Sequence, residues 1–210
     1  MKNQLTLDMK FSASQKILLL LTSILFISFT TINEDPKDRL NVKGPLSFGN
    51  TSFKLSWAAK PKETYFVQEY LPDGESLNSF SQMLTINLFV SDIEVKNAVD
   101  QKINELTKRK KTDSVCHYEV NESPDGKEFI VDFLVSETKD NKMTTVEFNV
   151  YRYKQIDIEG TKKAIVVYSY SKRAYGNEIS TFLESLGKER GTYLNHMISS
   201  EVPTIKISDK

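Results

Sequence analysis

VCHYEVNESPDGKEFIVDFLVSETKDNKMTTVEFNVYRYKQIDIEGTKKAIVVYSYS, residues 115–171, alternates apolar and polar side chains and is broken by short turn-forming groups. In the first run Val115, His117 and Glu119 share one face, and Ser114, Cys116, Tyr118 and Val120 share the other. Pro124-Asp125-Gly126 turns the chain, and Phe129, Val131, Phe133 and Val135 then alternate with Ile130, Asp132 and Leu134. After Asp140-Asn141-Lys142, Val146, Phe148 and Val150 alternate with Glu147, Asn149, Tyr151 and Tyr153. Glu159-Gly160 closes another hairpin, and Ala164 to Ser171 is the last strong strand. Short turns between alternating runs predict a four-strand antiparallel meander.

Upstream, Phe53, Leu55 and Trp57 alternate with Lys54 and Ser56, which predicts a strand with one buried face. Tyr65 to Leu71 is rich in aromatic and β-branched residues and stops at Pro72-Asp73-Gly74, so the two runs predict a hairpin. Leu77, Phe80 and Leu84 recur at helical spacing behind Ser76, a good N-cap, and predict a short helix; Thr85 to Val90 is again β-rich. Ser91-Asp92-Ile93-Glu94 has the form of a capping box, and Val95, Val99, Ile103 and Leu106 line one face of the helix that follows, which ends in Lys108-Arg109-Lys110-Lys111. A closing helix begins near Asn177, with Ile179, Phe182, Leu183, Leu186, Tyr193, Leu194 and Met197 in a stripe. Gly187 and Gly191 each cost about 1 kcal/mol relative to Ala inside a helix, which predicts a kink or break there.

Composition narrows the function classes. Of 210 residues, 28 are basic and 28 acidic, so the chain lacks the excess of cations that drives nucleic-acid binding. One Cys allows no internal disulfide and no zinc site built on paired thiolates. Residues 1–16 carry Lys2, Lys10, Lys16 and a single acid, Asp8, and Ile17 to Phe29 (ILLLLTSILFISF) is uncharged. That pattern predicts a secretory signal peptide over residues 1–32, with Met9 as an alternative start. The rival is an uncleaved anchor over residues 17–32, roughly 24 Å of helix against a hydrocarbon core of about 30 Å, and the shortness favours cleavage. Residues 33–45, polar and without periodicity, read as a flexible linker, and residues 46–210 as one α+β domain.

The expected architecture is an antiparallel sheet of about six to seven strands covered by helices, because strands run together with helices before and after them. Strand hairpin, helix, strand, helix, meander and closing helix, in that order, resemble the PsbP-like α/β/α sandwich of exported or lumenal accessory proteins. The stretch Glu69-Tyr70-Leu71-Pro72-Asp73-Gly74-Glu75-Ser76-Leu77, followed by Phe80 and Met83-Leu84-Thr85, is similar to a segment of small exported bacterial proteins. The resemblance covers Leu46 to Ile198 and implies fold and compartment; it carries no catalytic residue.

Several constellations invite chemistry. Cys116-His117 could pair a nucleophile with a base, but neighbours on a strand point to opposite faces. His117 and Glu119 do share a face, yet a zinc site needs further ligands, and His196 or Asp132 would have to converge on them. Lys108 to Lys111 suits a solvated helix end, where the macrodipole favours cations. Asn50-Thr51-Ser52 and Asn121-Glu122-Ser123 match the glycosylation pattern, a coincidence if the source is bacterial. The candidate binding surface is aromatic and polar: Tyr151, Tyr153, Glu147 and Asn149 on one strand face, with Tyr168 and Tyr170 on the next strand.

These readings converge on an exported, non-enzymatic binding or accessory module of the bacterial periplasm or envelope, without cofactor or resident metal. Its expected partner is a protein or small ligand; nucleic acid is excluded, and membrane contact is confined to an uncleaved leader. The alternative is a hydrolase with a cleft built from dispersed carboxylates, His117 and Tyr side chains. Mass spectrometry of the product recovered from producing cells is expected to show an amino terminus beyond the apolar block; retention of Met1 or Met9 defeats cleavage.

Overall fold

Alternation over residues 115–171 becomes four paired strands in the computed structural model, which describes residues 36–158, 160 and 162–208. The signal segment and the first residues of the linker lie outside the described residues. In chain order the strands are β1 (Leu46–Phe48), β2 (Thr51–Lys62), β3 (Tyr65–Leu71), β4 (Gln82–Val90), β5 (His117–Glu122), β6 (Glu128–Lys139), β7 (Lys142–Ile158) and β8 (Lys162–Tyr175). Two helices accompany them, α1 (Val95–Arg109) and α2 (Ile179–Ser199). All strand pairs are antiparallel, in the order β1-β2-β3-β4-β8-β7-β6-β5. The meander is the β5 to β8 half. Its turns use the expected backbone: Asp140 and Asn141 both have positive φ (51° and 58°), as a two-residue hairpin turn requires.

The sheet is a curled half-barrel of eight strands with two helices, which overturns the expected helix-covered sandwich of six to seven strands and its PsbP-like layering. Two local findings account for the difference. Residues 76–84 form no helix: Ser76 and Ser79 pair through backbone hydrogen bonds, and the chain enters β4 at Gln82. Strand β1 then adds to the edge of the hairpin. A helix is roughly 10 Å across and covers about two strands at about 4.8 Å spacing, so two helices leave much of an eight-strand sheet to be closed by its own curl.

Each face packs against one helix. On the first face Phe53, Phe66, Leu84, Ile86, Phe148, Val150, Tyr168 and Tyr170 meet Ile179, Phe182, Leu186 and Met197 of α2. On the second, Phe129, Val131, Phe133, Val135, Tyr153, Ile165 and Val167 meet Val95, Ala98, Val99 and Leu106 of α1. Arginines fix α2 in place. Arg190 grips Asp132 with two bonds (2.6 and 2.9 Å) and Glu119 with a third (2.8 Å). Arg152 donates to the carbonyls of Met197, Ile198 and Ser200 at the helix carboxyl terminus and to Glu128. So held, α2 runs unbroken through Gly187 and Gly191, where a kink was expected, and neither position has a neighbour that a Cβ would meet.

At the start of α1 the capping box does not form. Glu94 is the N-cap without a side-chain bond, and the Ser91 hydroxyl instead accepts from the Ile93 amide at 3.2 Å. At its other end Asp113 accepts from Arg109, from the Val115 amide, and from both the amide and hydroxyl of Ser136. Arg109 therefore anchors the helix to β6, while Lys108, Lys110 and Lys111 are exposed.

Within the residues read as a linker, Leu40 and Val42 are buried in the first-face core. The buried Gln68 side chain accepts from the amides of Arg39 and Leu40 (2.7 and 3.1 Å), and Lys206 and Ser208 donate from their amides to the carbonyls of Leu40 and Arg39. Both ends of the described chain thus meet beside β3.

The turn between β1 and β2 sits against α2: Gly49 has φ +57°, and a Cβ there would lie 2.9 Å from Cε1 of His196. Gly49→Ala is expected to cost about 1–3 kcal/mol in denaturant unfolding. In a His196→Ala background the steric part of that loss should vanish and the backbone part of about 1 kcal/mol remain.

Candidate functional site

On the second face the strands β3, β4, β8 and β7 change character along their length. The register places Val67, Asn87, Val167 and Tyr153 in one cross-strand row, and Glu69, Thr85, Ser169 and Tyr151 in the next. One row further lie Met83, Ser171 and Asn149, then Arg173 and Glu147. Apolar side chains therefore give way to a polar half beside α1. Its floor is small (Thr85, Ser169, Ser171, Asn149) and its border is long (Glu69, Tyr151, Glu147, Arg173), a shape set by the residue sizes themselves.

Most floor atoms are paired. Ser171 donates to Asn149 Oδ1 at 2.6 Å, and Ser169 to the Thr85 carbonyl at 3.3 Å. Tyr65 donates to Asn87 at 2.8 Å. Arg173 is ion-paired with Glu147, and its guanidinium lies 4.1 Å from the centre of the Phe80 ring. Two groups stand apart. Asn149 is fully buried, yet its Nδ2 has no hydrogen-bond partner. The half-buried Glu69 carboxylate receives no hydrogen bond or ion pair from the described residues. Burial, eased by Arg173 and aggravated by Glu147, pushes its pKa from the ordinary 4.5 to about 7.

Next to this floor, Glu147 and Tyr151 also line a cavity of about 20 Å³ beneath α1, shared with Lys102, Glu105, Leu106, Arg109, Phe133 and Val135, with room for one water. Lys102 pairs with Glu105 at 2.9 Å and lies over the rings of Phe133 and Tyr151.

The six candidate surface residues divide between the faces. Glu147, Asn149, Tyr151 and Tyr153 share the second face, as the alternation within β7 requires. Tyr168 and Tyr170 lie on the first, because they stand opposite Arg152 and Val150 in the ladder. Tyr153, Tyr168 and Tyr170 are buried. Tyr170 stacks on Phe48 and donates to Gln82, and burial raises Tyr168 to about 12. These hydroxyls stay protonated at physiological pH and act as packing rather than as an exposed surface.

The remaining candidates separate as well. Cys116 is buried against the Leu106 carbonyl, and burial raises its thiol pKa, while His117 is exposed on the other side of the strand. His117 lies 3.8 Å from Glu119, but Glu119 and Asp132 are occupied by Arg190, and His196 packs on Phe48 beyond them. Among the described residues no three His, Cys, Asp or Glu side chains gather as metal ligands.

The sequence candidates omit Glu69 and its ladder neighbour Trp57, as well as Thr85, Ser169, Ser171 and Arg173. Glu69 is the lone charge among Tyr65, Val67 and Leu71 on its strand face, a signal that was available. Trp57 was not legible: a bulge between Leu55 and Trp57 reverses the alternation, so that Phe53 and Leu55 face the first core while Trp57 turns to the second, opposite Glu69.

In comparison with known proteins a family model matches residues 40–202, a span that begins at Leu40, the first buried residue among those described. No curated protein matches the chain.

A carboxyl whose pKa is higher in the folded state than in the unfolded binds its proton more tightly when folded, so stability falls as pH rises from about 4.5 to about 7. Glu69→Gln is therefore expected to be more stable than the wild type above about pH 7, by up to about 3 kcal/mol, and equal to it below about pH 4.5. Urea unfolding across that range checks both limbs.

Proposed function

The chain belongs to the family matched over residues 40–202. From its own residues we propose that it is an exported, non-enzymatic binding module of a bacterial periplasm or envelope. It takes its ligand on the polar half of the second face. The observation that carries this reading is the pair of unmatched polar groups there, the Glu69 carboxylate and the Asn149 amide. A buried polar group without a partner costs about 1–3 kcal/mol, and a ligand that supplies the missing partner recovers that cost on binding. The charged start and apolar block of residues 1–32 support export.

One observation favours the second reading, a hydrolase: Glu69 is poised to hold a proton near neutral pH, as a general acid does, and a second carboxylate, Glu147, is ion-paired with Arg173 on the same face. The rigid salt link of Glu147 to Arg173 suits a structural or ligand-holding role better than a mobile nucleophile.

A thermal-shift screen of envelope-derived small molecules, run on the wild type and on Trp57→Ala, separates the readings. The module predicts ligands that raise the wild-type Tm by about 5 °C at saturation, that lose the effect on the variant, and that are recovered unaltered. Turnover of a ligand, abolished by both Glu69→Gln and Glu147→Gln, selects the hydrolase; a screen without any shift overturns both.

A further inference from the structure

A half-barrel keeps two edges, and this chain treats them differently. One edge is formed by β1 and, beyond Phe53, by β2. There the chain carries the devices that keep an edge from recruiting another strand. They are a covering strand of only three residues, ladder irregularities between Leu55 and Trp57 and between Ala59 and Lys62, and Lys60, Pro61 and Lys62 in succession. The other edge is β5, which pairs with β6 in unbroken register and contains no Pro, no Lys and no bulge. Of its two acids, Glu119 is already held by Arg190.

The ladder fixes which backbone groups face outward. The Ser123 amide donates to the Glu128 carbonyl, so the bonded pairs of this hairpin are Ser123 with Glu128, Asn121 with Ile130, Glu119 with Asp132 and His117 with Leu134. Tyr118, Val120 and Glu122 therefore turn their N–H and C=O groups away from β6, and no described residue bonds to them. Their side chains lie on the second face, where the Tyr118 hydroxyl meets that of Thr107 at 2.9 Å. Val120, in the middle of the strand, is 39% exposed; among the described residues only one other large apolar side chain, Ile198, is exposed.

We propose that β5 recognises itself: two copies of this chain pair their β5 strands antiparallel about a two-fold axis through Val120, joining two sheets into one. An axis perpendicular to the sheet keeps the faces matched, so residues of like face oppose one another. Val120 then closes against the partner's Val120, Tyr118 stands opposite the partner's Glu122 and can donate to it, and Glu119 stands opposite the partner's Asn121. Every outward group of Tyr118, Val120 and Glu122 falls in a bonded pair. The neighbouring registers are worse for reasons the chain supplies. With Glu119 on the axis two carboxylates face each other, and Glu122 meets the partner's Cys116, an amide that the Asp113 carbonyl already occupies. With Asn121 on the axis Tyr118 meets the partner's Pro124, which has no N–H to give. The edge is thus complementary to its own copy in one register.

This pairing uses neither Glu69 nor Asn149 and stands apart from the ligand reading. Sedimentation equilibrium of the product recovered from producing cells is expected to show a monomer–dimer equilibrium with a Kd of about 10–100 µM, weak because one strand pair buries less than a standard interface. Val120→Lys sets two cations face to face on the axis while leaving the β5–β6 bonds in place, and should raise that Kd about tenfold or more. Val120→Thr, β-branched and uncharged, should stay near the wild type; circular dichroism checks that both fold. Val120→Cys should form a disulfide-linked dimer with diamide, because bonded antiparallel pairs place Cα atoms about 5.5 Å apart. Glu63→Cys, in the exposed β2–β3 turn, should not. A monomer up to about 1 mM overturns the proposal, as does a dimer that Val120→Lys leaves intact or that cross-links equally from position 63. A monomer whose amides at Tyr118, Val120 and Glu122 resist hydrogen exchange at every dilution also overturns it, because another segment of the same chain then covers the edge.

Discussion

Two faces of one sheet must be covered, and the described residues supply two α-helices with which to cover them; much of the arrangement follows from that pairing. The strands of β2, β6, β7 and β8 run 12, 12, 17 and 14 residues, long enough for twist to accumulate into curl. Curl brings the strands that no helix reaches toward one another, and bulges at Ser56 and beside Pro61 let β2 follow it. On the first face α2 is locked by Arg190 and Arg152, and the apolar filling is continuous from Phe48 to Met197. On the second, α1 covers the β5–β7 side and leaves the polar half of β3, β4 and β8 to its own hydrogen bonds.

That polar half is where the chain departs from economical packing. Ser169, Ser171 and Asn149 occupy central rows that, on the opposite face, hold Tyr168, Tyr170 and Val150. Filling them with Val or Leu would give a drier and more stable face. The cost is concentrated at Glu69, whose carboxyl sits among side chains that do not pair with it. A binding role accounts for this pattern economically: the same groups that strain the empty fold have something to gain from a ligand.

Much of the fold was legible in the residues. The meander, the hairpin before it, α1 and α2 follow from period two and period 3.6 in the apolar positions, and the face assignment of Glu147, Asn149, Tyr151 and Tyr153 follows from counting along β7. What escaped reading depended on contacts between distant segments. Leu77, Phe80 and Leu84 had helical spacing, but Phe80 is claimed by Leu71, Met83 and the Arg173 guanidinium, and the chain stays extended. Tyr168 and Tyr170 could be placed on a face of β8 but not matched to a face of β7, because register is a property of the pair. A bulge is likewise invisible in one strand, and it hid Trp57; the cost of the Gly residues in α2 was offset by arginine contacts from β7 and to β6.

The backbone ladder between residues 39–40 and 206–208 sets how the body can be handled from outside. Because incoming and outgoing segments emerge side by side, a covalent attachment at either end, whether tether, tag or fused neighbour, presents the molecule the same way round. A circularly permuted chain with a short bridge across that seam and new termini in the Asp140-Asn141 hairpin keeps every strand neighbour it has now.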